Sequence, residues 1–186
     1  MKYILILLIA ALTLSLEAQN NTFIPDTSLS GLKLQDSISL RSIVPEFMGK
    51  IDYAGPGARI FLINKDKTET VTLIFHSGSK ADLIAEINLN SFMDSAYNKD
   101  KSYNLNIDHF KTESNIKLGI TKAELVQLKG EAYITDKKNE KETLKYRIKN
   151  YETSAFLIRY NYPSYYANYE FEKDILKSVS FGFEYP

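Results

Sequence analysis

The sequence predicts an α+β fold, with short helices packed on one face of antiparallel sheet and two similar lobes in tandem. Three observations lead there. Leu40, Ile43, Val44 and Phe47 recur at i, i+3, i+4 and i+7, the spacing of one apolar helix face. Stretches rich in Ile, Val, Leu, Phe and Tyr, bounded by turn residues, fill much of 59–89 and 144–183 and read as strands. The order short strand, short helix, three or more antiparallel strands occurs twice, and Leu32-Lys33-Leu34 has a counterpart in Ile116-Lys117-Leu118 half a chain later.

Taken in order, residues 1–18 read as a secretory signal peptide. Met1-Lys2 is the positive start, Tyr3 to Leu16 the apolar stretch, and Leu16-Glu17-Ala18 ends on the small residue that the peptidase requires. The apolar stretch is shorter than the roughly 20 residues a membrane span needs; an uncleaved anchor helix is the alternative. Export to a bacterial periplasm or to the medium is the expectation, with no membrane span in the mature chain. Asn20-Asn21-Thr22 matches a glycosylation sequon, and Asp36-Ser37-Ile38 and Asp94-Ser95-Ala96 resemble the O-glycosylation triplets of exported Bacteroidetes proteins. The sequon lies at the expected new N-terminus and arises easily by chance, and the two triplets are too short to carry weight.

Residues 19–30 are polar and read as a flexible N-terminal arm, followed by a first lobe over 31–98 and a second over 99–186. In the first lobe Asp36 caps the helix, and Pro45 bends it or ends it near Val44. Gly55-Pro56-Gly57 is a turn, and Arg59–Asn64 and Glu69–His76 form a hairpin about the tip Lys65-Asp66-Lys67-Thr68. After the turn Ser77-Gly78-Ser79-Lys80, Leu83 to Leu89 gives another strand, and the polar stretch 90–106 is the lobe boundary. In the second lobe Thr121-Lys122-Ala123-Glu124 is a capping box, and Gly130 suits the helix C-cap. Alternation then marks strands at Leu144–Ile148, at Phe156–Tyr160, and in a hairpin with Tyr169 and Phe171 on one arm, Val179, Phe181 and Phe183 on the other.

The stretch Phe110-Lys111-Thr112-Glu113-Ser114-Asn115-Ile116-Lys117-Leu118-Gly119-Ile120-Thr121-Lys122-Ala123-Glu124-Leu125, followed by Gly130, resembles the opening of the SmpA/OmlA (BamE-type) envelope lipoproteins and of the related beta-lactamase-inhibitor-like fold. There a glycine, a hydrophobic residue and a threonine start a helix that ends at a glycine before antiparallel sheet. The resemblance implies a protein-binding module that does not catalyse. It departs in lacking a lipobox cysteine, disulfide cysteines and a proline after Gly130, so an anchored lipoprotein and beta-lactamase inhibition are not implied.

Composition excludes more than it asserts. The 186 residues carry 23 basic and 23 acidic side chains, so no long-range field steers nucleic acid or anionic lipid. Without cysteine there are no disulfides, thiolate metal sites or cysteine nucleophile. His76 and His109 are the only histidines and lack metal-ligand spacing, and Asn64-x-Asp66-x-Thr68-Glu69 lacks the glycine that a calcium loop needs. Nothing asks for a cofactor. A carboxylate pair assembled by folding would leave no local trace, so an envelope hydrolase stays as the enzyme-class alternative.

The one anomaly is aromatic: eight of the thirteen tyrosines lie between Tyr146 and Tyr185, and five of them, Tyr160, Tyr162, Tyr165, Tyr166 and Tyr169, crowd around Pro163-Ser164. On alternating strands they would fill a half-buried sheet face. As a loop, Tyr160, Tyr162, Tyr165, Tyr166, Asn168 and Tyr169 would form an aromatic binding patch for another envelope or extracellular protein, or for a glycan beside Asn161 and Asn168.

Overall fold

A computed structural model describes residues 23–53, 57–75, 83–91 and 102–184. The expected signal peptide, His76, most of the turn at 55–57, the turn at 77–80 and the triplet at 94–96 lie outside those residues. The described elements, in chain order, are β1 (Ser28–Leu29), β2 (Leu32–Lys33), α1 (Ser37–Ile43), a 3-10 turn (Phe47–Lys50), β3 (Ala58–Ile63), β4 (Glu69–Phe75), β5 (Glu86–Ser91) and β6 (Ser102–Asn104). They continue with α2 (Lys122–Lys129), β7 (Ile134–Lys138), β8 (Lys141–Ile148), α3 (Ala155–Tyr160), β9 (Ser164–Glu172) and β10 (Ile175–Glu184).

The α+β expectation is corrected by this arrangement. The described residues are mostly β, 43% strand against 18% helix, rather than short helices packed on a sheet. Eight strands join in one mixed sheet, ordered β6-β3-β4-β5-β10-β9-β8-β7, and β1 and β2 form a separate ribbon. All neighbours in the large sheet are antiparallel except β6, which runs parallel to β3. The physical reason for the error is the pairing of β5 with β10, Glu86–Asn90 against Gly182–Ser178. It satisfies two strand edges at once, and no local sequence pattern announces it.

Local signals decided the helices. The Asp36 carboxylate accepts from the N–H groups of Ile38 and Ser39 at 2.9 and 3.4 Å, and α1 stops at Val44 ahead of Pro45. The periodic stretch is therefore split: Leu40 lies on α1, while Phe47 lies on the 3-10 turn, and both are buried. At α2 the capping box is formed, Thr121 N–H donating to the Glu124 carboxylate at 2.7 Å and Glu124 N–H to the Thr121 hydroxyl at 3.3 Å. Residues 156–160, expected as a strand, are helical in α3. Ser154 caps that helix through Leu157 N–H, Asn161 ends it in the left-handed conformation, and Leu157 alone of its residues is fully buried. Capping chemistry at both ends outweighs three alternating apolar residues. Strand β7 went unforeseen because every residue in it is exposed, as suits a charged edge strand.

One face of the sheet carries the core. Ile60, Leu62, Val71, Leu73, Phe75, Ile87 and Leu89 fill it in the first half, and Leu144, Tyr146, Tyr165, Tyr169, Phe171, Val179 and Phe181 in the second. Leu40, Leu125 and Leu157 from the three helices join the same cluster. The segment read as a loose arm is described from Phe23 onward, and that part is packed. Phe23 stacks on Tyr146 at 4.6 Å, Leu29 is fully buried, and Asp26 is buried in an ion pair with Lys129 at 2.8 Å. Glu113 fixes the same segment, accepting from the backbone N–H and hydroxyl groups of both Thr27 and Ser28.

Candidate functional site

Because side chains alternate across a strand, the second face of the sheet can be read from register. Three cross-strand rows lie on it. The first is Arg59, Ile74, Glu86, Gly182, Tyr166 and Arg147. The second is Phe61, Thr72, Asn88, Ser180, Asn168 and Lys145, and the third Ile63, Thr70, Asn90, Ser178, Glu170 and Thr143. The middle four columns, from β4 to β9, are dominated by hydroxyl and amide groups at intermediate burial. The buried residues of the helices belong to the core on the opposite side.

A depression of about 510 Å³ sits on this face, open among the described residues, and is lined by Asp52, Arg59, Phe61, Thr72, Ile74, Asn88, Asn90, Ser178 and Ser180. Asp52 reaches it because its backbone pairs with that of Arg59 in both directions at 2.8 Å, and the Asp52 carboxylate lies 3.4 Å from the guanidinium. On the floor, the Ser178 hydroxyl donates to the Asn90 carbonyl at 2.8 Å, and the Asn168 amide donates to the Ser180 hydroxyl at 3.2 Å. The side chains of Asn88 and Thr72 have no hydrogen-bond partner among the described residues, so they keep their donors and acceptors for something else.

Beside the depression the face is braced. Tyr166 O–H donates to Glu86 across the column held by Gly182. A Cβ on residue 182 would meet Ala85 O at 2.5 Å and Glu86 Cα at 2.8 Å, so only glycine fits there. Arg147 donates to the Asn168 carbonyl at 2.9 Å and lies 5.3 Å from the centre of the Tyr166 ring. Burial, then the Glu86 carboxylate, pushes the Tyr166 phenol well above its ordinary value, so it acts as a donor and stays neutral.

The six expected patch residues divide among three places. Tyr165 and Tyr169 are fully buried in the core, where their hydroxyls donate to Asp26 O at 2.6 Å and Asp26 Oδ2 at 3.1 Å. Tyr166 and Asn168 lie on the open face. Tyr160 and Tyr162 sit at the sheet end, with ring centres 4.9 and 4.6 Å from that of Phe183. Residues 164–172 are a strand, so the alternation of β9 separates them. No amide-and-hydroxyl field was expected, although its signal is present: Thr70 and Thr72, Asn88, and Ser178 and Ser180 alternate with apolar residues, while Asn90 falls in the stretch read as the lobe boundary.

Elsewhere, a second depression of about 550 Å³ at the β7–β8 turn is lined largely by charges that pair with one another, Lys141 with Glu170 at 2.8 Å and with Glu172 at 3.6 Å. At the hairpin tip the Asn64 side chain accepts from Thr68 and Glu69 N–H, both at 2.8 Å, and donates to Asp108 O, which leaves it no role as a cation ligand. Glu69 is buried and accepts from Phe110 N–H at 2.7 Å while contacting His109 Nδ1 at 2.8 Å, so it ties the tip to the stretch before Lys111.

Comparisons with protein-family models, with curated proteins and with solved structures each return no match. None of them bears on the resemblance drawn from Phe110–Gly130.

Proposed function

We propose that this is an exported, non-catalytic binding module that meets an envelope or extracellular partner with the open face of its eight-stranded sheet. One observation carries the proposal: four central strands present a continuous field of half-buried, mostly uncharged polar side chains, on the side away from the core. Such a field costs little to desolvate compared with charges, and its many donors and acceptors give register to whatever docks. The tyrosine loop is no longer the carrier, because Tyr165 and Tyr169 serve the core.

The binding reading is favoured over the carboxylate hydrolase by the occupation of the acids. Asp52 lies against Arg59, and Glu86 holds the Tyr166 hydroxyl. A hydrolytic pair needs two carboxyls facing one ligand across roughly 5–9.5 Å, and the depression is lined by one.

Immobilised protein should recover a reproducible partner set from the envelope fraction of its host. The double variant Thr72→Glu, Ser180→Glu should abolish that recovery, while Lys137→Glu on the exposed edge strand should preserve it. Identical recovery by the face variant would end the proposal.

A further inference from the structure

We infer that the depression between β3 and β10 takes a neutral polyhydroxylated ligand, a saccharide unit. This rests on the open face being the binding surface and names the class of ligand that one part of it receives. Four observations converge.

The lining chemistry is of the right kind. Thr72, Asn88, Asn90, Ser178 and Ser180 supply hydroxyls and amides, groups that both donate and accept, as sugar hydroxyls do. Among the described residues the Asn88 amide and the Thr72 hydroxyl hold no partner, and they are neighbours in register. Spacing matters next. Adjacent strands lie roughly 4.8 Å apart and same-face residues along a strand roughly 6.4–6.8 Å apart. Asn88 and Asn90 on β5, facing Ser180 and Ser178 on β10, thus form a small lattice whose groups can reach hydroxyls on different edges of one ring.

Charge and shape complete the match. The lining carries one acid and one base 3.4 Å apart, so it offers no net charge to an ionic ligand. Phe61 and Ile74 supply an apolar wall beside the amides, and a sugar ring presents C–H groups on one face and hydroxyls at its edge. The volume of about 510 Å³ falls within the range of small-ligand sites, roughly 300–1,000 Å³.

The test uses the purified protein and a printed panel of neutral oligosaccharides, including β-glucans, mannans, galactans and xylans, with sulfated and phosphorylated counterparts alongside. At least one neutral oligosaccharide should bind, and its charged counterparts should bind no better. Asn88→Ala and Asn90→Ala should each weaken that binding about tenfold, with an unchanged urea midpoint showing that the fold is kept. Lys137→Glu should bind like the parent.

Absence of binding to every neutral oligosaccharide overturns the inference, and so does binding that is indifferent to both asparagine substitutions. Preferential capture of the anionic members overturns it as well. The two readings fail separately. If Thr72→Glu, Ser180→Glu abolishes recovery of a protein partner while no oligosaccharide binds, the sheet-face reading stands and the saccharide falls.

Discussion

The two halves of the sheet hold their cores by different chemistry. Around β3, β4 and β5 the side chains that join the core cluster are hydrocarbon: Ile60, Leu62, Val71, Leu73, Ile87, Leu89 and the ring of Phe75. Around β8 and β9 the core is built on Tyr146, Tyr165 and Tyr169, each fully buried yet each with its hydroxyl donating. Tyr146 donates to Gly130 O, and the other two donate to Asp26, which faces Lys129 at 2.8 Å with neither side chain exposed. Lys129 in turn donates to Ile24 O and to the Ser114 hydroxyl, both at 2.9 Å. Hydrocarbon packing is non-directional and tolerates exchange of shape. The tyrosine core is directional: it ties the N-terminal segment, the stretch before α2 and the end of α2 to one strand pair, and fails if one partner is missing.

That contrast can be broken in order of expected effect. The largest is alkaline unfolding. Burial, reinforced by Asp26 near Tyr165 and Tyr169, raises these phenols above their ordinary value, and burial does the same for Tyr146. A fold that binds protons more tightly than the unfolded chain keeps its full stability below the ordinary phenol pKa of about 10 and loses it progressively above. The part of the tyrosinate absorbance that comes from these three should therefore rise in the same cooperative step in which the circular-dichroism signal is lost. Ionisation of every tyrosine with the fold intact would show that the buried hydroxyls are not coupled to it.

Next comes Asp26→Ala, which strands a buried ammonium and removes an acceptor from Tyr169; a loss of about 3–5 kcal/mol in urea unfolding is expected. Leu73→Ala, the comparable truncation in the hydrocarbon half, should cost about 2–4 kcal/mol, without change in the pH dependence. If Leu73→Ala proved the worse of the two, the weight placed on the polar network would be misplaced. Tyr169→Phe keeps the ring and deletes one buried donor, for about 1–2 kcal/mol.

The smallest effect is at Glu113. Burial alone would raise its carboxyl, but hydrogen bonds from Thr27 and Ser28 override this and hold it below the usual carboxylate range. The stabilisation is complete above the ordinary carboxylate pKa and is lost as acid takes the pH below it through the folded value. Glu113→Gln should cost about 1 kcal/mol at neutral pH, and the gap to the parent should close in acid. A gap independent of pH would mean that the charge of Glu113 contributes nothing.

How much of this was legible varies with the range of the interaction. The caps at Asp36 and Thr121, the hairpin about Asn64 and the β9–β10 hairpin rest on residues close in sequence, and their residue types announce them. Phe156–Tyr160 misled because an apolar pattern of three residues carries less information than a serine cap and an asparagine C-cap. The tyrosines were visible as an anomaly, but strand alternation decides which of them see water. Tyr165 and Tyr169 went inward while Tyr166 and Asn168 went outward, so one tyrosine-rich stretch feeds both the core and the open face. The field of Asn88, Asn90, Ser178 and Ser180 was half legible: alternation predicts that Asn88, Ser178 and Ser180 face away from the core, but Asn90 fell in the stretch read as the lobe boundary, and nothing local places the two pairs side by side.

The neutral charge, the absence of cysteine, the caps and the hairpins belong to the sequence itself, since they depend on composition or on neighbours a few residues apart. The single sheet, the burial of Asp26 against Lys129 and the depression on the open face belong to the tertiary structure. Each needs contacts between residues about half a chain or more apart, β5 with β10 and Asp26 with Lys129, whose loop-closure cost is repaid only once the whole core has formed. A local window contains neither partner's counterpart, so the chemistry of the surface emerges only when the strands have been brought together.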